Sequence, residues 1–115
     1  MTAEDVIFLV RRQLNDNHAG AGTHWSNSAL IKYLNEAQHK LIDRLPHLLL
    51  GSTGLYGTVS NATNLADTLS DGLTEEWKGA LAAFGIYRCF LEDDDDTVNR
   101  GKAVLYLQEF ERRLL

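Results

Sequence analysis

The sequence of 115 residues contains one cysteine, one proline and few basic residues. The single cysteine, Cys89, excludes an internal disulfide framework and a multi-cysteine zinc site, and it fits a reducing compartment. The net charge of −5 argues against the broad basic surface needed to wrap nucleic acid. No hydrophobic run reaches the roughly 20 residues that span a bilayer, and acids precede the first short run, unlike in a secretory signal. We therefore expect a soluble, intracellular protein without a membrane partner.

The composition is that of one folded domain covering residues 1–115. Hydrophobic residues make up 44% of the chain and charged residues 23%, which supplies a core and differs from the composition of disordered chains. A chain of this length supports one core, and a second core would be too small to stand alone. We therefore predict a single domain.

Hydrophobic residues at three- and four-residue spacing predict two helices in the first half of the chain. The first begins after a cap at Thr2 and points Arg11 and Arg12 to solvent. The second follows a cap at Ser26 and ends before Pro46, because proline disfavours helical geometry in the residue before it. The residues expected on the two buried faces are Val6, Ile7, Val10, Leu14, Leu30, Leu34, Ala37, Leu41 and Leu45.

A long loop and two further helices are predicted for the second half. Residues 51–72 are rich in Gly, Ser, Thr, Asn and Asp, with room for one small hairpin, and their length makes them a candidate binding loop. Helix three follows a cap at Thr74, and helix four begins in the aspartate run. Their expected buried residues are Trp77, Leu81, Phe84, Leu91, Ala103, Leu107, Phe110 and Leu114. The predicted fold is an all-α four-helix bundle with a long central loop and a C-terminal helix.

Four consecutive aspartates, Asp93 to Asp96, are the most unusual feature of the sequence. They fail the spacing of an EF-hand loop, because neither register places glycine sixth and glutamate twelfth. Adjacent aspartates at a helix entrance also lack the differing environments that paired catalytic acids need. We interpret them as helix-capping acids that favour the dipole of helix four.

No catalytic, metal-binding or cofactor-binding residues are predicted. The histidines do not form a pair one helical turn apart, and Cys89 lies within a helix, where a small buried residue is the usual role. Tyr33, Tyr87 and Tyr106 are equally typical of a core edge and of a protein interface. The ending LQEFERRLL combines apolar residues with two arginines, which suits protein docking, with a frayed terminus as the alternative.

Two stretches carry a more specific pattern. In residues 25–46 a tryptophan and a small polar residue precede a helix with the core Leu34-Asn35-Glu36-Ala37-Gln38. In residues 80–110 a helix of small residues ends on Leu and Asp. The chain then continues through Asn into a basic residue followed by Ala, and then into Tyr and Phe. The residues of this pattern are Tyr87, Leu91, Asp93 to Asp96, Asn99, Lys102-Ala103, Tyr106 and Phe110. This pattern resembles the head-to-tail adaptor (connector, head-completion) proteins of tailed bacteriophages over nearly half the chain.

The resemblance implies a non-enzymatic virion protein in the neck between head and tail, assembled in the host cytoplasm as a ring that is expected to be dodecameric. Its implied partners are the portal protein, neighbouring adaptor subunits and the next tail component, while genomic DNA passes through the channel without specific binding. By family analogy the C-terminal helix docks on the portal through Tyr106, Phe110, Arg112, Arg113, Leu114 and Leu115. The candidates for an acidic channel or junction surface are Asp93, Asp94, Asp95 and Asp96.

Two other classes of function stay open at this point. A small intracellular helical hydrolase could use His24, Cys89 or the aspartates, although no nucleophile and base can be paired from the sequence. A protein-binding or DNA-binding regulator could contact DNA through Arg11 and Arg12, which the net acidity disfavours.

Overall fold

Four α-helices make up most of the described chain. The computed structural model describes residues 1–14, 25–49, 61–69, 73–92 and 97–114. Its helices are α1 (Ala3–Leu14), α2 (Asn27–Arg44), α3 (Lys78–Glu92) and α4 (Thr97–Arg113), with short 3-10 helices at Pro46–Leu49 and Glu75–Trp77. These ranges contain no strand, so the predicted all-α fold is confirmed. In the same ranges no helix is both long enough and apolar enough to cross a membrane.

Helix α3 is the central element, because α1, α2 and α4 all pack against it. A Cβ added at Gly85 would lie 3.2 Å from Val10 Cγ2, so α1 lies close against the backbone of α3 at that point. Helix α4 has its main packing contact with α3, and side-chain hydrogen bonds join it to α1 and α2. The largest fully buried side chains are Phe110, Leu41, Leu81, Gln38, Val6 and Cys89.

Most of the predicted helix boundaries and buried faces are confirmed. Ser26 Oγ accepts a hydrogen bond from the Ala29 N–H at 3.1 Å, and α2 ends shortly before Pro46. In α4 the side chains of Ala103 and Phe110 are each 2% exposed, as the spacing predicts. The hairpin expected within residues 51–60 lies outside the described residues.

Three expectations from the sequence are wrong. Arg11 is 4% exposed instead of facing solvent, and its Nη2 donates to Asn27 Oδ1 at 2.6 Å. Leu91, expected in the core, is 38% exposed. Thr74 precedes a 3-10 turn, and its hydroxyl donates to Glu76 Oε1 at 3.3 Å instead of capping the backbone. Spacing along a helix shows which residues share a face, but it does not show where the neighbouring helices end.

The segment of residues 61–69 caps the N-terminus of α1. The N–H groups of Ala3 and Glu4 donate to the carbonyl oxygens of Asp67 and Leu65 at 2.9 Å and 3.0 Å. The first N–H groups of a helix have no partner within the helix, so a distant segment supplies these two acceptors. The start of α1 is thereby joined to a part of the chain some sixty residues away.

Two carboxylates hold this junction in place. Asp67 Oδ2 accepts hydrogen bonds from the Thr63 N–H at 2.7 Å, the Thr63 hydroxyl at 2.8 Å and the Asn64 N–H at 3.2 Å. These bonds hold the pKa of Asp67 below its ordinary value of 3.8. Asp5 Oδ2 accepts from the Thr2 N–H at 2.9 Å, and that bond lowers the pKa of Asp5.

Acid is therefore expected to weaken the junction between α1 and residues 61–69. Because folding lowers the pKa values of Asp5 and Asp67, their contribution to stability is complete above about pH 4 and is lost as the pH falls through their folded-state values. The free energy of unfolding should decline in that range, and Asp67→Asn should remove part of the decline. Urea denaturation from neutral pH to about pH 2.5 measures it. The exposed Asp43→Asn is the control, and equal pH dependence of Asp67→Asn and wild type would contradict the assignment.

Candidate interaction surfaces

Two grooves run along the sides of α4 and expose parts of α3. The α2–α4 groove lies between α2 with residues 61–63 on one side and α4 on the other, and its apolar lining comes from Ile31, Phe84, Tyr87, Leu107 and Phe110. The α1–α4 groove lies between α1 and α4, and the small residues Gly79, Ala82 and Ala83 of α3 form part of it. The two grooves share α4 as a wall, and α1 and α2 also contact each other, with Arg11 of α1 bonded to Asn27 of α2.

The structure places Phe110, a predicted portal contact, in the core. Its side chain is 2% exposed, and its ring packs edge-to-face on Phe84 with the ring centres 5.2 Å apart. A side chain enclosed in this way holds α4 against α3, and it also forms part of the base of the α2–α4 groove. We therefore assign Phe110 to core packing, in agreement with its position in the predicted buried stripe of helix four.

Tyr106 lies at the edge of the core and bonds to α1. Its ring stacks on Phe90 with the ring centres 5.8 Å apart, and its hydroxyl accepts a hydrogen bond from Gln13 Nε2 at 2.8 Å. The side chain is half-buried beside the α1–α4 groove. Tyr106 thus contributes to the fold and also borders a surface that a partner can reach.

Arg112 and Arg113 share one carboxylate. Glu109 Oε1 accepts from Arg112 Nη2 at 2.6 Å and from Arg113 Nε at 2.9 Å, and these bonds lower the pKa of Glu109. The guanidinium of Arg113 lies over Gly79, where an added Cβ would lie 2.4 Å from its Nη1. The side chain of Arg112 is 69% exposed. Of the two predicted arginine contacts, Arg112 is the more accessible.

Of the remaining predicted site residues, the structure describes Leu114 but not Leu115 or the four aspartates. Leu114 is half-buried against the core, and its N–H donates to the Glu111 carbonyl at 3.2 Å. Leu115 and the four aspartates Asp93 to Asp96 lie outside the described residues. Helix α4 starts at Thr97, directly after the aspartates in the sequence.

The outer face of α4 carries two exposed aliphatic side chains that the sequence analysis did not single out. Val104 is 53% exposed and Leu105 is 63% exposed. An added Cβ at Gly101, one turn earlier, would meet nothing within 4 Å, so this side of the helix is open to solvent. We call Val104, Leu105 and Arg112 the α4 outer face.

Arg88 joins α2 and α3 at the border of the α2–α4 groove. Its Nε donates to Glu36 Oε2 at 2.7 Å and its Nη2 donates to Glu92 Oε1 at 2.8 Å. The guanidinium carbon also lies 5.2 Å from the centre of the Tyr33 ring. Burial by itself would lower the pKa of Arg88, but the bonds and charges of the two glutamates outweigh it, so the pKa is raised above its ordinary value.

The candidate residues of the alternative functions are poorly placed for those functions. Cys89 is 0% exposed, so a substrate would not reach its thiol. Arg11, proposed for DNA contact, is also buried. Among the described residues no group of three or more His, Cys, Asp or Glu could hold a metal ion. His24 lies outside the described ranges.

Sequence reasoning missed the structural roles of Asn35 and Arg88 and the exposure of Phe8. Asn35 Nδ2 donates to the Ala62 carbonyl, and Asn35 Oδ1 accepts from the Ala62 N–H, both at 2.8 Å. A short amide beside a buried stripe was a visible signal, because such side chains bond to backbone. The signal for Phe8 was an aromatic on the polar side of α1, where it is 54% exposed.

The geometry therefore describes surfaces for macromolecular contact, namely the α4 outer face and two open grooves. Comparisons with known proteins add no family assignment: no family model, no curated protein and no solved structure matches the chain.

Proposed function

We propose that the protein is a head-to-tail adaptor of a tailed bacteriophage and that it binds the portal through the α4 outer face. The observation that carries the proposal is the exposure of Val104 and Leu105 on a helix whose inner face is already filled by Phe110. The two side chains contribute little to the fold of the monomer. Adjacent exposed aliphatic residues with an arginine nearby are typical of a protein interface.

The charge of α4 specifies the surface that it would bind. The helix Thr97–Arg113 carries four basic and two acidic residues, whereas the whole chain has a net charge of −5. An acidic partner surface with an apolar centre would therefore complement the α4 outer face, since opposite charges favour encounter and correct register. In the proposed function that partner is the portal protein.

The proposed adaptor acts as a ring of copies beneath the portal, extends the DNA channel and offers a surface to the next tail component. The acidic balance of the chain supports such a role, because like charge repels the phosphates of passing DNA. Of the portal contacts expected from the sequence, the proposed interface keeps Arg112, omits the buried Phe110 and adds Val104 and Leu105.

Aspartate on the α4 outer face is expected to weaken portal binding. Burying a leucine or valine side chain at an interface contributes enough to change affinity about tenfold, so Val104→Asp and Leu105→Asp should each reduce binding by at least about that factor. Titration of each variant onto the purified portal assembly of the same phage measures the loss. Leu91→Asp, which alters an exposed leucine on α3, is the matched control. Wild-type affinity for both α4 variants, with unchanged circular dichroism, would rule out this interface.

A further inference from the structure

An exposed aromatic side chain projects from the solvent side of α1. Phe8 is 54% exposed, whereas Val6, Ile7 and Val10 of the same helix are buried. Glu4 and Asp5 lie one turn before it and belong to the acidic first turn of the helix. We call Phe8, Glu4 and Asp5 the Phe8 knob. The ring of Phe8 is the apolar part of the Phe8 knob, and it is exposed to solvent.

The α2–α4 groove has the complementary chemistry. Its apolar lining includes the aromatic residues Phe84, Tyr87 and Phe110, and its α2 wall carries Lys32 and Lys40. Both lysines are exposed, and neither forms an ion pair with any described residue. Glu36 and Asp43 lie on the same wall, and Glu36 is paired with Arg88, so among the described residues the wall keeps two unpaired lysines against one aspartate. The groove is apolar at its base and weakly basic along this wall, so an aromatic residue flanked by acids suits it.

The size of the groove indicates a protein occupant. Its volume is about 1320 Å³ and it is open to solvent, whereas small-molecule pockets typically measure about 300–1,000 Å³ and enclose their ligand. A solvent-open groove of this volume is more typical of a protein contact than of an enclosed small-molecule site. Helix α1 of a second copy presents a surface with an apolar centre and an acidic end.

We infer that the Phe8 knob of one copy docks in the α2–α4 groove of a second copy. The inference rests on the proposed function, because it names the surfaces through which neighbouring subunits of the adaptor ring would meet. Knob and groove are made of different residues, since none of the described residues that line the groove belongs to α1, so each subunit can use both at once. Contacts between two different patches join subunits head to tail, and they close into a ring when the rotation between subunits permits.

The charges along both surfaces favour this occupant. Glu4 and Asp5 would face Lys32 and Lys40 across the contact, while the aromatic ring enters the apolar base of the groove. Arg12, one turn after Phe8, adds the opposite charge, and a register that places it at Asp43 places Glu4, about 12 Å away along α1, nearer to Lys32 than to Lys40. Buried aromatic anchors surrounded by polar contacts carry most of the affinity at protein interfaces.

The test measures self-association and portal binding separately. Sedimentation of the full chain at low salt reports self-association in free solution, and titration onto the portal reports affinity and the cooperativity with which copies add. We expect Phe8→Asp to weaken self-association, or cooperative addition on the portal, about thirtyfold. Single-copy affinity for the portal should stay unchanged, because Phe8 is not on the α4 outer face. Circular dichroism and the thermal midpoint show whether each variant is folded.

Exchanging charges between the Phe8 knob and the groove adds a second test of association, and a folding defect would not reproduce its result. Glu4→Lys and Lys32→Glu should each weaken association about tenfold, and an equimolar mixture of the two should recover part of it. Wild-type association of Phe8→Asp would overturn the inference, as would a wild-type chain that stays monomeric in solution and adds to the portal without cooperativity. A chain that self-associates through Phe8 but binds no portal would retain the inference and remove the proposed adaptor function.

Discussion

Replacing Phe110 with alanine is expected to lower the free energy of unfolding by about 3–5 kcal/mol. The side chain is 2% exposed and packs edge-to-face on Phe84, so its removal leaves a cavity between α3 and α4. Domains of this size have a total stability of about 5–15 kcal/mol. The substitution therefore removes a large share of what holds the fold together.

The damage from Phe110→Ala should be concentrated in α4. That helix has its main packing contact with α3, and the Tyr106–Gln13 hydrogen bond and the exposed Arg44–Glu111 salt bridge join it to α1 and α2. Exposed salt bridges contribute about 1 kcal/mol or less. Hydrogen exchange should show faster exchange of α4 amides than of α2 amides, and urea denaturation should give the global loss.

Tyr106→Phe is the matched control for Phe110→Ala, because it keeps an aromatic ring on the same helix and removes only one hydroxyl. The lost bond to Gln13 is part of an exposed contact, so we expect a cost of about 1 kcal/mol or less. If Phe110→Ala instead kept wild-type stability and lost portal binding, Phe110 would contribute to the portal interface and not to the stability of the monomer. The two outcomes cannot be confused, since stability and binding are measured independently.

The case of Phe110 shows what periodicity can predict. Residues 103, 107, 110 and 114 are in step along α4, and that spacing correctly places Ala103 and Phe110 in the core. The family analogy assigned Phe110 to an interface as well, whereas in the monomer its side chain is already packed against Phe84. Exposed apolar residues off the buried stripe, such as Leu105, are the better interface signal in a sequence.

Bonds between distant segments could not be predicted in the same way. Arg88 and Glu36 are 52 positions apart, and Asn35 and Ala62 are 27 apart, so no local pattern relates them. The capping of α1 by residues 61–69 is equally remote in sequence, since the loop composition predicts only irregular structure. Such contacts depend on how helices are placed in three dimensions, which hydrophobic spacing leaves undetermined.

The Leu34-to-Gln38 core that carried the family resemblance has a physical role for each of its members. Leu34, Ala37 and Gln38 are buried at 2%, 0% and 0% exposure, and Glu36 binds Arg88 of α3. Asn35 bonds to both backbone groups of Ala62. The run therefore joins α2 to α3 on one side and to residues 61–69 on the other, which explains its composition without any catalytic function.

Replacing Asn35 with alanine is expected to cost about 2–4 kcal/mol of unfolding free energy. The substitution removes two hydrogen bonds of 2.8 Å to Ala62 and a third of 3.2 Å that Gln38 Nε2 donates to Asn35 Oδ1. It leaves the N–H and the carbonyl of Ala62, a residue only 3% exposed, without these partners. Unsatisfied buried polar groups each cost about 1–3 kcal/mol. Urea denaturation measures the loss, and Lys40→Ala, an exposed substitution on the same helix, should stay within about 0.5 kcal/mol of wild type.

Asn35→Ala should also increase amide exchange in α1, although the lost bonds do not involve α1 itself. Residues 61–69 accept hydrogen bonds from the N–H groups of Ala3 and Glu4, so releasing Ala62 should increase amide exchange at the start of α1. Exchange at Ala29, capped by Ser26, should change less, because that bond is independent of the segment. If Asn35→Ala exposed Ala62 while Ala3 and Glu4 kept their protection, residues 61–69 would hold α1 independently of α2. Protection lost at both places would mean that one segment links the two helices, with Asn35 as its attachment to α2.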